Sequence, residues 1–436
     1  MEKKKSIMGD ITVIGLALFA MFFGAGNLIF PPSLGANAGN EWFQGFLCFF
    51  VADIGLALLT ILAIIKSGED SVNGVTRKLG KVPATIINCA VVLCIGPFLA
   101  IPRTAATTFE MGILPVFPEF NTWIFGAIFF GLTFAFTIRS SKVVDIIGKF
   151  LTPILVVSLL AIIIIGVVNP IGPTDTPAKF ETIKEGILAG YQTMDVLASM
   201  VFVLIVINAA RDKGYTKPAE TMSVVMKSSI FAAVALFVVY GGLAFLGATT
   251  SGGNFEHLNQ AGLLVEITRL LVGPYGVIML GVIVSFACLT TAIGLTSSAA
   301  AFFANLTKDK VSYEKVVTII IVFSYIVSNF GLSSIISISA PVLNLVYPVV
   351  LVMVFLSYFE KRIQNHNVFI FASLFALIIS AGIVLQGFGV ELAFLNKLPL
   401  YDFQLAWILP AIVGGIVGKF VPMSEKAKLK YATDNE

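Results

Sequence analysis

Stretches of about 18 or more apolar residues recur from one end of this sequence to the other, each long enough to cross a bilayer as a helix. Of the 436 residues 57% are hydrophobic and only 12% charged, against about 25% charged in soluble domains. Such a chain cannot cover itself with a water-facing surface, so it reads as an all-α integral membrane protein in the lipid bilayer. Polar and Gly/Pro breaks divide it into twelve candidate spans, near 11–36, 42–65, 82–103, 122–138, 143–168, 186–210, 222–248, 274–305, 314–330, 334–358, 368–388 and 404–422. The third run leads into "TAATTFEMGI", read as an extension that is re-entrant or interfacial. At the N-terminus "MEKKK", an apolar stretch and "ANA" imitate a signal peptide. The stretch is too long for one and ends in Pro31-Pro32, so a retained first helix is expected.

Basic residues orient the spans. With both termini cytoplasmic, 23 of the 28 Lys and Arg fall on the inner side, and Arg103, Lys179, Lys184, Arg269 and Lys397 fall on the outer side, as the positive-inside rule requires. The expected layout is an inner tail at 1–10, a first five-helix unit at 11–168, an outer loop at 169–185, a second five-helix unit at 186–358, two further spans within 368–422 and an inner tail at 423–436. A bacterial cell membrane is the expected location. No basic-aromatic stretch marks a nucleic-acid surface. No phosphate-binding loop is present, so no ATPase subunit is required. The four cysteines and two histidines form no metal or disulfide pattern, and no cofactor or enzyme chemistry is indicated.

Chemistry must therefore come from polar and helix-breaking residues inside the spans, and three segments supply them. In "FFGAGNLIFPP" (22–32), Gly24 and Gly26 weaken the first helix, and Pro31 and Pro32 leave the carbonyls of Asn27 and Leu28 without N–H partners. Freed backbone groups cannot face lipid; a proline kink packed by protein and a ligand site both answer that need. In "GYQTMDVLASM" (190–200), Asp195 is an acid in an apolar span, suited either to cap a second half-helix or to meet a cation. In "TTAIGLTSS" (290–298), Thr290, Thr291, Thr296, Ser297 and Ser298 suit helix packing, and the adjacent hydroxyls at 296 and 297 also suit a small cation. Asp53 is a spare carboxylate for titration or gating, while Asn88, Asn208 and Asn344 suit interhelical bonds and Glu110 and Glu391 suit outer water.

Interrupted helices at positions one and six fit a transporter of two inverted five-helix repeats, in which half-helix N-termini face an anion and unwound carbonyls face a cation. An amino acid zwitterion suits that arrangement. The amides of Gly26, Asn27 and Leu28, at the end of a segment that includes Gly24 and Ala25, would meet its carboxylate. The carbonyls of Phe22, Gln192 and Thr193 would meet its ammonium, with Asp195 nearby and Tyr191 as a candidate lid.

"FAMFFGAGNLIFPPSLGANAG", "GPFLAIPRTAATTFEMG", "GYQTMDVLASMVF" and "TTAIGLTSS" together resemble the bacterial branched-chain amino acid:cation symporters of the BrnQ type, over nearly the whole chain. That resemblance implies a LeuT-like fold of the amino acid–polyamine–organocation superfamily and uptake of leucine, isoleucine and valine driven by Na⁺ or H⁺. "GAGN" and "GLTSS" are more distantly similar to the breaks of LeuT-type sodium symporters. This likeness implies a Na⁺ site from the carbonyls of Ala20, Phe23 and Ile293 and the hydroxyls of Thr296 and Ser297, and a second from Asn27 and Thr193. Asp195 stands where those symporters carry a small hydroxyl residue, and the sixth-helix break lacks their glycine. The expectation is a Na⁺-driven symporter; the alternatives are H⁺ coupling through Asp195 or Asp53, and a sensor or channel on the same scaffold.

Overall fold

In lipid every backbone N–H and C=O must be satisfied within the chain, which leaves a sequence this apolar with helices as its elements. The computed structural model describes residues 7–67, 73–138 and 142–422, and among them there are helices and no strands. Most of the expected tails, residues 1–6 and 423–436, and Arg139 lie outside the described residues, as do the side chains of Lys142 and Lys149. The stretch expected as the first unit comprises α1 (Ile7–Phe22), α2 (Ala25–Ala38), α3 (Trp42–Phe50), α4 (Leu56–Ser67), the single turn α5 (Asn73–Thr76), α6 (Lys81–Leu93), α7 (Ala100–Thr108), α8 (Thr122–Ile138) and α9 (Lys142–Val168). The rest comprises α10 (Thr182–Thr193), α11 (Asp195–Asp212), α12 (Pro218–Ala248), α13 (Gln260–Val272), α14 (Pro274–Leu306), α15 (Tyr313–Ser328), α16 (Leu332–Ser357), α17 (Asn367–Gly387) and α18 (Ile408–Phe420).

Seven helical stretches among the described residues are long and apolar enough to cross a membrane: Ala25–Ser67, Lys81–Ile113, Thr182–Asp212, Pro218–Ala248, Pro274–Leu306, Leu332–Ser357 and Asn367–Gly387. Shorter apolar helices lie at Ile7–Phe22, Thr122–Ile138, Pro153–Val168 and Ile408–Phe420. Helix occupies part or all of each apolar run read from the sequence. Large apolar side chains such as Ile86, Ile124, Val157, Val234, Ile319 and Ile412 point away from the core, as a lipid solvent allows.

Two departures from the sequence reading stand out. "TAATTFEMGI" is helical throughout: α7 runs into a π-helical turn at Phe109–Ile113. The segment 249–273, expected on the outer side, holds a helix of its own, α13, capped by Asn259, whose side chain accepts from the Gly262 N–H at 2.8 Å.

The site is positioned by close crossing of α2 and α12. A Cβ on Gly35 would stand 1.8 Å from the Ala244 carbonyl oxygen, and one on Gly247 would stand 1.9 Å from that of Pro32. Two backbones thus touch directly, a contact that small residues alone permit. α1 also lies against α12, α10 against α3, and α11 against α4, while α17 and α18 pair with each other beside α16. The half-helices are matched, α2 with α10 and α1 with α11, so the two interruptions fall together in the interior.

Candidate functional site

The first interruption is two residues long. Phe23 N–H still bonds to Phe19 O, Gly24 N–H turns back to Phe22 O at 2.8 Å, and α2 restarts at Ala25. Gly24 is extended (φ −104, ψ −171), and a Cβ there would meet nothing closer than 3.8 Å, so the turn does not depend on glycine's conformational freedom. With Gly24 as the helix cap, the unused amides are those of Ala25, Gly26 and Asn27. The Leu28 amide, also expected to meet a carboxylate, lies one residue further into α2. Pro31 and Pro32 sit inside α2 without ending it.

The second interruption is one residue. Met194 takes the left-handed conformation (φ 69, ψ 13), ending α10 and starting α11. For a non-glycine residue that geometry costs about 1–2 kcal/mol, so surrounding contacts must hold it. Met194 is itself fully packed, at 1% exposure. Asp195 opens α11, where an acid complements the helix dipole, yet it does not cap through its side chain as one sequence reading allowed. Its Oδ2 instead accepts from Asn27 Nδ2 at 2.8 Å.

Around that bond lies a polar cluster in an otherwise apolar core. Asp53, 0% exposed, sits in a π-helical turn at Val51–Gly55 between α3 and α4. It accepts from Thr193 Oγ1 at 2.7 Å and, more weakly, from Asn27 Nδ2 at 3.4 Å. π-Turns inside α-helices commonly mark functional positions. Asn27 therefore bridges two carboxylates, and Thr193 ties one of them to the second break. Tyr240 and Tyr347 stand beside the carboxylates with buried hydroxyls, and that of Tyr347 has no hydrogen-bond partner among the described residues.

The cluster also contains a cation that the sequence reading had assigned to the outer surface. Arg103 is 3% exposed, in the first turn of α7. The helix before it is disrupted at Gly96-Pro97, where Gly96 is non-helical (φ −100, ψ −126). A new helix starts at Ala100 and turns Arg103 inward. Its Nη1 donates to Gln192 O at 2.6 Å and its Nη2 to Thr193 O at 3.3 Å, covering the free carbonyl end of α10. Its guanidinium also lies 5.7 Å from the Phe30 ring centre, and a Cβ on Gly26 would stand 3.0 Å from Nη2. The carbonyls expected to meet an ammonium are thus held by an arginine, and Phe22 O is held by the Gly24 amide. Two buried acids and one buried base leave the cluster one negative charge in excess when all are ionised.

A cavity of about 30 Å³ separates the breaks. Met21, Phe22, Gly26, Arg103, Ala198 and Phe202 are among its walls. Tyr191 and Gln192 stand apart from it: Tyr191 stacks on Tyr347 with ring centres 4.4 Å apart, and the Gln192 side chain accepts from Ser339 Oγ at 3.3 Å. Tyr191 is therefore packed into the core rather than laid over the cavity.

The residues expected to hold a cation are not drawn into one cluster of bonds. Thr296 Oγ1 is buried and has no hydrogen-bond partner among the described residues. Ser297 Oγ accepts from Tyr313 at 3.3 Å, and Ile293 is buried in α14. α14 packs on α7, α9 and α15 rather than broadly on α1, which carries Ala20. Phe23 stacks on Phe19 and on Tyr240. Asn27 and Thr193, proposed for a second site, are engaged by the two carboxylates. Glu110 is held by Asn259 and by the Leu332 N–H rather than left to outer water. Asn88 accepts from Thr76 at 3.0 Å, a contact between helices.

Comparison with known proteins agrees with this architecture. The family described as branched-chain amino acid transport protein matches residues 7–425. The chain belongs to that family. It is 39% identical over 422 residues to the branched-chain amino acid permease BraB of Bacillus subtilis, covering 94% of each chain. It is 36% identical over 428 residues to BrnQ of the same organism, covering 95% of this chain and 97% of the relative. Members of the family are transport proteins, not enzymes. Among solved structures, inward-facing Mhp1 superimposes with a TM-score of 0.62 at 12% identity, over 97% of this chain and 94% of that one. MhsT in complex with L-phenylalanine gives 0.55 at 16%, over 93% and 98%. These likenesses show a multi-pass transporter fold of the LeuT-like kind.

Arg103 is what sequence reasoning missed. Its helical setting was legible, since no Gly or Pro follows Pro102 before Gly112, but the inward direction of its side chain was not.

Proposed function

We propose that this protein takes up leucine, isoleucine and valine across a bacterial cell membrane by cation symport, with Na⁺ as the coupling ion and both termini cytoplasmic. Substrate would bind between the two helix interruptions, and the carrier would expose that site to each face in turn. The observation that carries the reading is the charge balance at the interruptions. Among the described residues Asp53 and Asp195 oppose Arg103 alone, and an unpaired charge in a dry interior is costly. One further cation resolves it, and both an amino acid's ammonium and a coupling ion qualify. The free amides of Ala25, Gly26 and Asn27 offer a carboxylate the positive end of α2, and Phe22, Phe202 and Ala198 offer an apolar side chain its surroundings. The partnerless hydroxyl of Thr296 supports a separate Na⁺ position on α14.

A second reading couples transport to H⁺. The nearness of Asp53 and Asp195, joined through Asn27, favours it, because two adjacent carboxylates can hold a single proton between them. Purified protein in proteoliposomes decides. Isoleucine accumulation should collapse when Na⁺ is replaced by choline at fixed pH and voltage. Undiminished uptake that follows a proton gradient alone would transfer the coupling to the carboxylates. Flux that equilibrates without accumulating would instead indicate a channel.

A further inference from the structure

The cavity between the interruptions, at about 30 Å³, is an order of magnitude below the roughly 300–1,000 Å³ of pockets that hold small ligands. The Arg103 side chain fills the missing space. It reaches from the third helix to the carbonyls of Gln192 and Thr193, and beside them it faces the Asp195 carboxylate. A substrate ammonium would seek the same three groups. Arg103 also lies beside Gly26, the residue whose amide would meet the substrate carboxylate, and leaves no room there for a larger residue. Guanidinium and substrate therefore exclude one another. The bonds holding Arg103 are two carbonyl contacts and a cation–π contact to Phe30, and its Nε has no partner. A side chain with a long flexible stem can surrender these without disturbing a helix.

We propose that Arg103 is a tethered substitute for the substrate's ammonium, which caps the α10 carbonyls and opposes Asp195 once cargo has left and so lets the unloaded carrier reorient. This rests on the transport reading above. Without the arginine, the unloaded site would present two buried carboxylates and the negative end of α10 with no cation, a state costly to enclose. A loaded carrier has no such need, since the ammonium supplies the charge. The guanidinium is thus required for net movement and competes with substrate for binding.

Net uptake and exchange separate the two roles. Net uptake into leucine-free vesicles obliges the carrier to return unloaded, whereas exchange of labelled for unlabelled leucine does not. For Arg103→Gln the expected result is net uptake reduced by about tenfold or more, as loss of a buried charged partner implies. Exchange should persist, with half-saturation moved to lower leucine concentration because a competitor is gone. Arg103→Lys, which keeps the charge but loses the fork, should fall between wild type and Arg103→Gln in the ratio of net uptake to exchange. If Arg103→Gln does not reach the membrane, that ratio in Arg103→Lys decides: a lowered ratio supports the proposal and a wild-type ratio overturns it. Loss of exchange together with net uptake would make Arg103 a direct ligand of substrate and overturn it. Net uptake at the wild-type rate in Arg103→Gln would overturn it as well. A wild-type protein that neither accumulates nor exchanges leucine would instead refute the transport reading itself.

Discussion

The two helix interruptions do the same job by different means. At the first, the chain opens over Phe23 and Gly24 in an extended conformation any residue can adopt, and α2 then runs straight through two prolines. At the second, a single buried methionine is forced into left-handed geometry, and an arginine from another helix closes the carbonyl end. The first is therefore built from local chain chemistry, supported by backbone contact with α12. The second is flanked by α7, through Arg103, and by α16, through Ser339 and Tyr347. Local breaks tolerate substitution at the break and fail when their support is disturbed; imposed breaks store strain at the break itself.

The largest effect tests the support. Gly35→Val places a side chain into the Ala244 carbonyl. Overpacking of this kind costs about 1–3 kcal/mol and more against rigid backbone, so the variant should be lost from membranes in an expression assay. Gly24→Ala, with open space around its Cβ, should accumulate as wild type. If Gly24→Ala were lost as well, the first break would depend on glycine after all.

Next comes the link between the breaks. Asp195→Asn keeps the shape but removes the charge that accepts from Asn27. A buried hydrogen bond to a charged group contributes about 1.5–3 kcal/mol, so leucine uptake at low concentration should fall by roughly ten- to a hundredfold. Asp53→Asn removes a charge held by Thr193 and only weakly by Asn27, and should cost less, about tenfold. Equal losses would mean that the two acids act as one unit.

The smallest effect concerns the strain itself. Met194→Gly and Met194→Ala lose the same packing, but glycine accepts left-handed geometry and alanine does not. In thermal unfolding in detergent, Met194→Gly should be more stable by about 1 kcal/mol. The mirror pair at position 24 should favour alanine slightly or show no difference, because Gly24 is extended.

Much of the site was legible in the residues. "GAGN" marked the place of the first interruption but not its cause, since Gly24 is extended and the prolines lie inside α2 without ending it. Asp195 announced an interior site because a carboxylate has no place in lipid. The placement of Arg103 was not legible. At the end of an apolar run it looks like any residue meeting outer water, and its burial follows from the way α7 restarts after Gly96-Pro97 and turns toward α10. Likewise nothing near Met194 in sequence requests a left-handed residue. The α13 helix was missed because its apolar face is short and covered only by neighbours.

The sequence by itself determined the class of molecule and the apolar helical segments, because both follow from hydropathy. Tertiary structure alone decided which charges meet. Asp53, Arg103 and Asp195 come from three distant parts of the chain, and their shared burial depends on how the helices cross. It also decided that the freed carbonyls of the second break are held by a guanidinium, since in a dry interior a free carbonyl end takes whatever cation the packing brings within reach.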